Sequence, residues 1–445
     1  MFTFLLISLV FVFLLFHPIS KPKIQTTFLS LSVLSLCVCF SACVLISEAD
    51  CKFGFLNTDR VSNMMMALLC LVILFGMVVC DFEANGTKLK SLALLGGVCC
   101  LLFTSDNLLI FFMSFEASMI PIMYLVLGHG FQPERVSSSL YILMFTMLSS
   151  VPLILVILFL WKSEGVTSFL NLSFESSSSS EVLVVASIMG FLAKLPLFGF
   201  HIWLPMAHVE APLEGSIVLA GIMLKLGSFG FYRFWWVLSS GIFKWSGFFL
   251  LSMSLLGMIY SSVMSLTSTD VKAIVAYSSV SHMNFMILSF LVGKDFSFKS
   301  MMITSISHAL SSSLLFFMVT ILYGVSHSRN ILLSKGVIST FPSFQLLSFV
   351  IWSMNLSSPP FLSFLGELAS IFSVVHWNSS VLAGLAFYVV LSSLYSMNSF
   401  GVSSLSSSKF SEVPLGEEIK LNSLLFLSML SVLFFFLPSV WDPSL

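Results

Sequence analysis

The stretch Ile188-Met-Gly-Phe-Leu-Ala-Lys194-Leu-Pro196-Leu-Phe-Gly-Phe200 decides the fold. A lysine stands inside an apolar run, a proline follows two residues later, and the run continues through His201 and Trp203 to Pro205. The rest of the chain says which solvent surrounds it. Of 445 residues, 58% are hydrophobic and 9% charged, and the mean hydropathy is +1.05. Soluble domains are about half apolar and a quarter charged, so a water-soluble fold is excluded. Nineteen basic against twenty acidic residues leave a formal charge of −1. That balance provides no cationic field for nucleic acid and no polybasic face for anionic lipid. The sequence predicts an all-α polytopic membrane protein in contact with membrane lipids.

Apolar runs between polar breaks give about fourteen candidate helices of spanning length. They fall near 2–16, 26–47, 61–80, 88–104, 106–127, 137–161, 182–204 and 211–236. Six more follow near 245–266, 271–292, 299–324, 343–375, 380–402 and 421–439. A polar break, Glu48 to Arg60, and a Ser-rich loop, Lys162 to Glu181, interrupt the series. Met1–Phe16 has no basic residue before it and no small-residue cleavage site after it, so it reads as a retained first span and not a signal peptide. All eight cysteines lie within the first hundred residues, none in a C-x-x-C pair and most in apolar runs. They read as small packed hydrophobes, and no metal centre is predicted. His201 and His208 flank Pro205 and read as interfacial or packed.

Two spans carry disruptive prolines, one at Pro196 and Pro205, the other at Pro359-Pro360. Proline removes a backbone donor and clashes with the preceding turn, so both helices should break or kink. Each is roughly fourth in a run of five helices, 88–236 and 245–402. That placement has two readings: an inverted repeat of the transporter kind, or prolines that are simply common in membrane helices. On the first reading the chain divides into N-terminal helices (1–87), a first repeat (88–236), a second repeat (245–402), and a loop with the last helix (403–445).

The informative residues are charges that hydropathy does not expect. Glu116 lies mid-run, ten residues from Asp106, or about 15 Å along a helix. Lys194 adjoins the Pro196 break, Lys225 is central in its span, and Glu367 follows the Pro359-Pro360 break. His282 is midway between Asp270 and Lys294, and His308 lies inside the next span. An ionised group at mid-membrane costs ~3 kcal/mol, so the four charges together cost on the order of 10 kcal/mol. Such groups either form buried ion pairs that hold helices together or they work. A buried pair is often no more stabilising than apolar packing, which favours work. Glu, Lys and His are the types whose proton affinity burial can bring toward neutrality, and a row of them suits stepwise proton transfer. Gly128-His-Gly130 begins like a dinucleotide fingerprint but lacks the third glycine and follows an apolar helix.

Phe191-Leu-Ala-Lys-Leu-Pro-Leu-Phe-Gly-Phe-His-Ile-Trp-Leu-Pro-Met-Ala-His-Val-Glu-Ala-Pro212 and Gly221-Ile-Met-Leu-Lys-Leu-Gly227 resemble the proton-pumping, antiporter-like membrane subunits of respiratory complex I. So do Gly128 to Arg135, Thr269 to Met283, His327-Ser-Arg329 and Asn355 to Leu368. The resemblance covers about residues 100–400 in order. It implies a fourteen-helix fold with two inverted five-helix repeats. It also implies a coupled pair, Glu116 and Lys194, a central relay, Lys225, a polar axis continued by His282 and His308, and a terminal acid, Glu367. Sister subunits tend to carry Lys at that last position. No cofactor is expected on this chain; NADH, FMN, iron–sulfur clusters and ubiquinone would belong to partner subunits. The partners implied are other complex I membrane subunits, sister pumps among them, in the mitochondrial inner membrane. Met206 departs from the pattern, where Lys is usual, and so does Glu214, where a small polar residue is usual. Competing readings are a stand-alone cation/proton antiporter subunit and a purely structural scaffold whose buried charges tolerate neutral replacement.

Overall fold

A computed structural model of the chain describes residues 51–53, 56–80, 86–130, 132–165, 168–169, 181–238, 245–293, 295–338 and 342–404. The helices expected near 2–16, 26–47 and 421–439 lie outside these residues, as do most of the segments 1–87 and 403–445. The described chain is helical apart from a short hairpin and two isolated bridges. In the hairpin β1 (Cys51–Phe53) pairs antiparallel with β2 (Leu56–Thr58) inside the polar break before Arg60. Nine helices among the described residues are long and apolar enough to cross a membrane. The residues fall into two compact units.

The described residues of the first unit run to Lys194 and resume from Glu210 to Leu238. Helix α1 (Arg60–Val79) starts where the Asp59 backbone N–H donates to Ser62 Oγ at 2.7 Å, a cap that satisfies an otherwise orphaned donor. It packs on α2 (Gly86–Thr104). The span expected at 106–127 is two pieces, α3 (Leu108–Ala117) and α4 (Met119–His129), parted at Ser118. Asn107 caps α3 by accepting from the Leu109 N–H at 3.0 Å. Helix α5 (Arg135–Glu164) runs on past Pro152 and ends on Gly165, whose φ of +67° suits a residue without Cβ. It packs on α6 (Glu181–Lys194), which stops two residues before Pro196. The span expected at 211–236 is one helical run with an inserted π-turn: α8 (Leu213–Val218), the π-turn Leu219–Met223, then α9 (Leu224–Leu238).

The second unit takes Leu195–Val209 together with the residues from Trp245 onward. After Lys194 the chain leaves helical geometry through Gly199, with φ +95°, and resumes as α7 (Trp203–Glu210). Pro205 therefore does not break the chain. It sits in the first turn of α7, where its missing donor costs nothing. Helix α10 (Trp245–Thr267) packs on α11 (Val271–Phe290), and α11 on α12 (Asp295–Ser326). The span expected at 343–375 is broken at the double proline into α13 (Pro342–Asn355) and α14 (Leu362–Trp377), with α14 against α12. Helix α15 (Leu382–Ser404) closes the unit against α10 and α13. The chain's many serines fit these apolar helices because their hydroxyls bond carbonyls three or four residues back, as Ser187, Ser254, Ser278 and Ser312 do at 2.7–2.8 Å.

Candidate functional site

The first unit holds Glu116, Lys194 and Lys225. Lys194 is the last residue of α6, and its side chain is fully buried among phenylalanines. Its Nζ donates to the Phe115 carbonyl at 2.7 Å and lies 3.1 Å from the centre of the Phe115 ring. Phe191 packs edge to face on both Phe115 and Phe111. The same carbonyl accepts from Ser118 Oγ at 2.7 Å, at the parting of α3 and α4. An interrupted helix offers carbonyl lone pairs that a continuous one commits to its own ladder. Glu116 follows Phe115 directly and interacts electrostatically with Lys194. Neither of its buried carboxylate oxygens has a hydrogen-bond partner among the described residues. The amine therefore rests on the backbone beside the acid.

Lys225 repeats this arrangement within one helical run. It follows the π-turn by two residues, is wholly buried, and donates from Nζ to the Ala220 carbonyl at 2.5 Å. A π-turn disturbs the regular ladder, frees backbone groups, and is frequent at functional sites. Gly221 in that turn lies against α1 so closely that a Cβ would meet Val72 Cγ1 at 2.6 Å. Cys99, which reads as a packed hydrophobe, is buried within electrostatic reach of Lys194.

The second unit gathers His282, His308 and Glu367 into one cluster. His282 Nδ1 is 3.4 Å from Glu367 Oε1, and the His282 and His308 rings lie 5.8 Å apart. The double-proline break brings Ser357 round to donate to Glu367 Oε1 at 2.6 Å. Two tyrosines of α15 complete the cluster. Tyr388 Oη is 3.1 Å from His282 Nδ1, and Tyr395 Oη is 3.5 Å from Nε2. A cavity lined by His282, His308, Ser311, Ser357 and Glu367 leaves about 20 Å³ for the centre of a water molecule, enough for one to fit. The tyrosines did not stand out in the sequence. Their signal is a seven-residue spacing, two helical turns on one face of an apolar span.

Glu214, a departure from the expected pattern, has a partner. Its carboxylate oxygens lie 3.3 and 3.4 Å from Lys88 Nζ, and both side chains are largely buried. Met206, the other departure, is exposed. The strings Gly128 to Arg135 and His208 to Pro212 meet at Gly130, where a Cβ would lie 3.0 Å from the Glu210 carbonyl. In the second unit Thr269-Asp-Val271 forms an antiparallel bridge with Arg329 to Ile331, through Val271 N–H to Arg329 O at 3.0 Å and Ile331 N–H to Thr269 O at 2.9 Å. Among the described residues no three His, Cys, Asp or Glu side chains are grouped to hold a metal.

Residues 105–393 match the transmembrane family described as NADH:quinone oxidoreductase/Mrp antiporter. The chain is 38% identical over 301 residues to NADH-ubiquinone oxidoreductase chain 4 of Locusta migratoria, covering 68% of this chain and 67% of that protein. The same-named protein of Lumbricus terrestris is 37% identical over 66% of each chain. These matches span about two thirds of the relatives' length. The fold aligns with a chain of respiratory complex I from Thermus thermophilus, solved with bound NADH, at TM-score 0.82 and 21% identity over 98% of this chain and 97% of that one. It aligns as well with a chain of the membrane-bound sulfane sulfur reductase, an archaeal respiratory membrane complex, at TM-score 0.83 and 16% identity over 97% and 75%. The chain belongs to the NADH:quinone oxidoreductase/Mrp antiporter family of membrane subunits, and to those of the NADH-ubiquinone oxidoreductase chain 4 kind.

Proposed function

We propose that this chain is a core membrane subunit of NADH:ubiquinone oxidoreductase. In this role it translocates protons across the mitochondrial inner membrane, driven by electron transfer from NADH to ubiquinone. Its neighbours are the other membrane subunits, sister antiporter-like pumps included, and FMN and the iron–sulfur clusters belong to partner subunits. The observation that carries this reading is the placing of buried or half-buried titratable side chains at helix interruptions. Lys194 ends α6 at the break, Lys225 follows the π-turn, and Glu367 stands just after the double proline. Groups so placed can bind and release a proton without unravelling a regular helix. The complete fold on this reading has fourteen helices, with inverted repeats over 88–236 and 245–402.

Glu116, Lys194, Lys225, His282, His308 and Glu367 are the proton sites. A change in charge at Glu116 alters how tightly the neighbouring Lys194 amine holds its proton, because Glu116 is the acid in electrostatic contact with it. Lys225 then acts as the relay, and the imidazole–carboxylate cluster of the second unit as the terminal store. Moving one proton against 100 mV requires ~2.3 kcal/mol, within reach of one or two pKa units of change at a site.

The test has two steps. Native electrophoresis of gently solubilised membranes, stained for NADH dehydrogenase and read by mass spectrometry, places the chain in a very large NADH-oxidising band. Its presence only in a smaller, NADH-inactive assembly would instead mark a stand-alone cation/proton antiporter. In the assembled complex, Glu116→Gln then abolishes pumping through this subunit while assembly is retained. Normal pumping by that variant would remove Glu116 from the mechanism.

A further inference from the structure

A second polar cluster in the first unit stands apart from the six proton sites. Lys88 is in the first turn of α2, Glu214 in the first turn of α8, and His129 is the last residue of α4, so three element ends meet. The Lys88–Glu214 pair is 3.3 Å apart with side chains 13% and 7% exposed. His129 Nε2 is 3.2 Å from Thr87 Oγ1, the residue before Lys88, and is within electrostatic reach of both members of the pair. Exposure falls in steps along this corner: Thr87 is exposed, His129 and Lys88 are half-buried, and Glu214 is buried. Other charged groups nearby are Lys90, exposed on α2, and Arg135, whose Nη1 donates to the Gly130 carbonyl at 2.8 Å. Glu210 is a further buried carboxylate, its carbonyl close over Gly130, and the charged residue of α1 is Arg60 at its start.

Glu214 and Lys225 lie on one helical run, eleven residues apart. That is roughly 16 Å, about half the hydrocarbon thickness. A carboxylate at one end and an amine at mid-depth are the spacing a feed and its relay need. A purely structural role explains the pair poorly, because a buried ion pair barely recovers its own desolvation. The resemblance leads one to expect a small polar residue at position 214, and the acid that stands there pairs with Lys88.

We infer that Lys88, Glu214 and His129 form a proton-exchange mouth for the first unit, through which Lys225 trades protons with one membrane face. This inference rests on the proposed pumping function. The imidazolium of His129 gives its proton to the Glu214 carboxylate and becomes neutral. The resulting carboxylic acid no longer holds Lys88 as an ion pair; it gives its proton to water, which carries it to a neutral Lys225 amine, and the carboxylate pairs with Lys88 again. His129 is recharged from the aqueous side.

The test uses the assembled complex in sealed membrane vesicles, with proton translocation followed from pH 6 to 9. Glu214→Gln slows translocation about tenfold and displaces the pH profile by about one unit, the size of an ordinary environmental shift. Glu214→Asp restores both. A double replacement, Lys88→Met with Glu214→Met, removes the buried pair without leaving a lone charge. It assembles normally and remains as slow as Glu214→Gln. If the double variant instead pumps at the full rate with an unchanged profile, the pair is packing alone and the inference falls. Lys225→Ala serves as the control. If it too pumps normally, the pumping function itself is wrong and the mouth falls with it.

Discussion

The two units handle buried charge in different ways. In the first, each mid-membrane amine is set on a backbone carbonyl, Lys194 on Phe115 and Lys225 on Ala220. In the second, Glu367 and His282 are held by side chains, Ser357, Tyr388 and Tyr395, around a space that admits water. A carbonyl is a fixed neutral acceptor. It steadies a protonated amine but cannot itself take up the proton. A network of hydroxyls and imidazoles can both steady a charge and pass the proton on. The carbonyl beside each amine of the first unit can steady a proton but not carry it, whereas the groups around Glu367 can do both.

This contrast can be broken most readily at Lys225. Positioned proton-transfer groups typically contribute 10²–10⁴-fold, so Lys225→Ala is expected to slow vesicle proton uptake roughly a hundredfold. Lys225→Arg should not rescue it, because a planar guanidinium is larger than an ammonium and the Lys225 side chain is fully buried. A partial loss, of about threefold, would mean that another group shares the relay with Lys225. Glu367→Gln removes the terminal charge but leaves His282, His308 and both tyrosines, and we expect a smaller deficit, roughly tenfold. A deficit as deep as that of Lys225→Ala would erase the distinction between the units.

Tyr388→Phe and Tyr395→Phe sharpen the contrast from within the second unit. A net hydrogen bond is worth about 1 kcal/mol, or roughly fivefold in rate. Tyr388, at 3.1 Å from His282, should approach that value, and Tyr395, at 3.5 Å, should fall well below it. Initial rates of proton uptake at matched NADH oxidation would show the order. The smallest expected effect is Arg233→Ala. Arg233 pairs with Asp59, but the pair is partly exposed, with side chains 12% and 29% accessible. Such pairs contribute about 0–1 kcal/mol, so the thermal midpoint of the solubilised complex should barely move.

Much of this was legible beforehand because its causes are local. Pro196 and Pro359-Pro360 break their helices as the missing donors require, and charges inside apolar runs announce themselves. What stayed hidden depends on partners distant in the chain. Glu214 reads as an anomaly until Lys88, 126 residues earlier, is seen beside it. Tyr388 looks like ordinary apolar filling until His282, 106 residues earlier, faces it. Proline is also ambiguous by itself. Pro152 lies inside an unbroken α5 and Pro205 in the opening turn of α7, whereas Pro196 follows a helix end. The π-turn at Leu219–Met223 contains no proline and marks itself only with Gly221, which has the separate task of letting α1 approach.

That π-turn also sets the rotational phase of its helix. A π-turn holds about one residue more than an α-turn, so everything beyond it is stepped round the axis by about 100°. Glu214 before the step and Lys225 after it are thus keyed to different directions on one rod. Deleting a single residue between Leu219 and Met223 would leave a better-formed α-helix with the same side chains in the same order. It would leave the amine facing as it does now, because the residue removed is the one the π-turn had absorbed. What would go is the disturbed ladder beneath it, from which the Ala220 carbonyl meets Lys225.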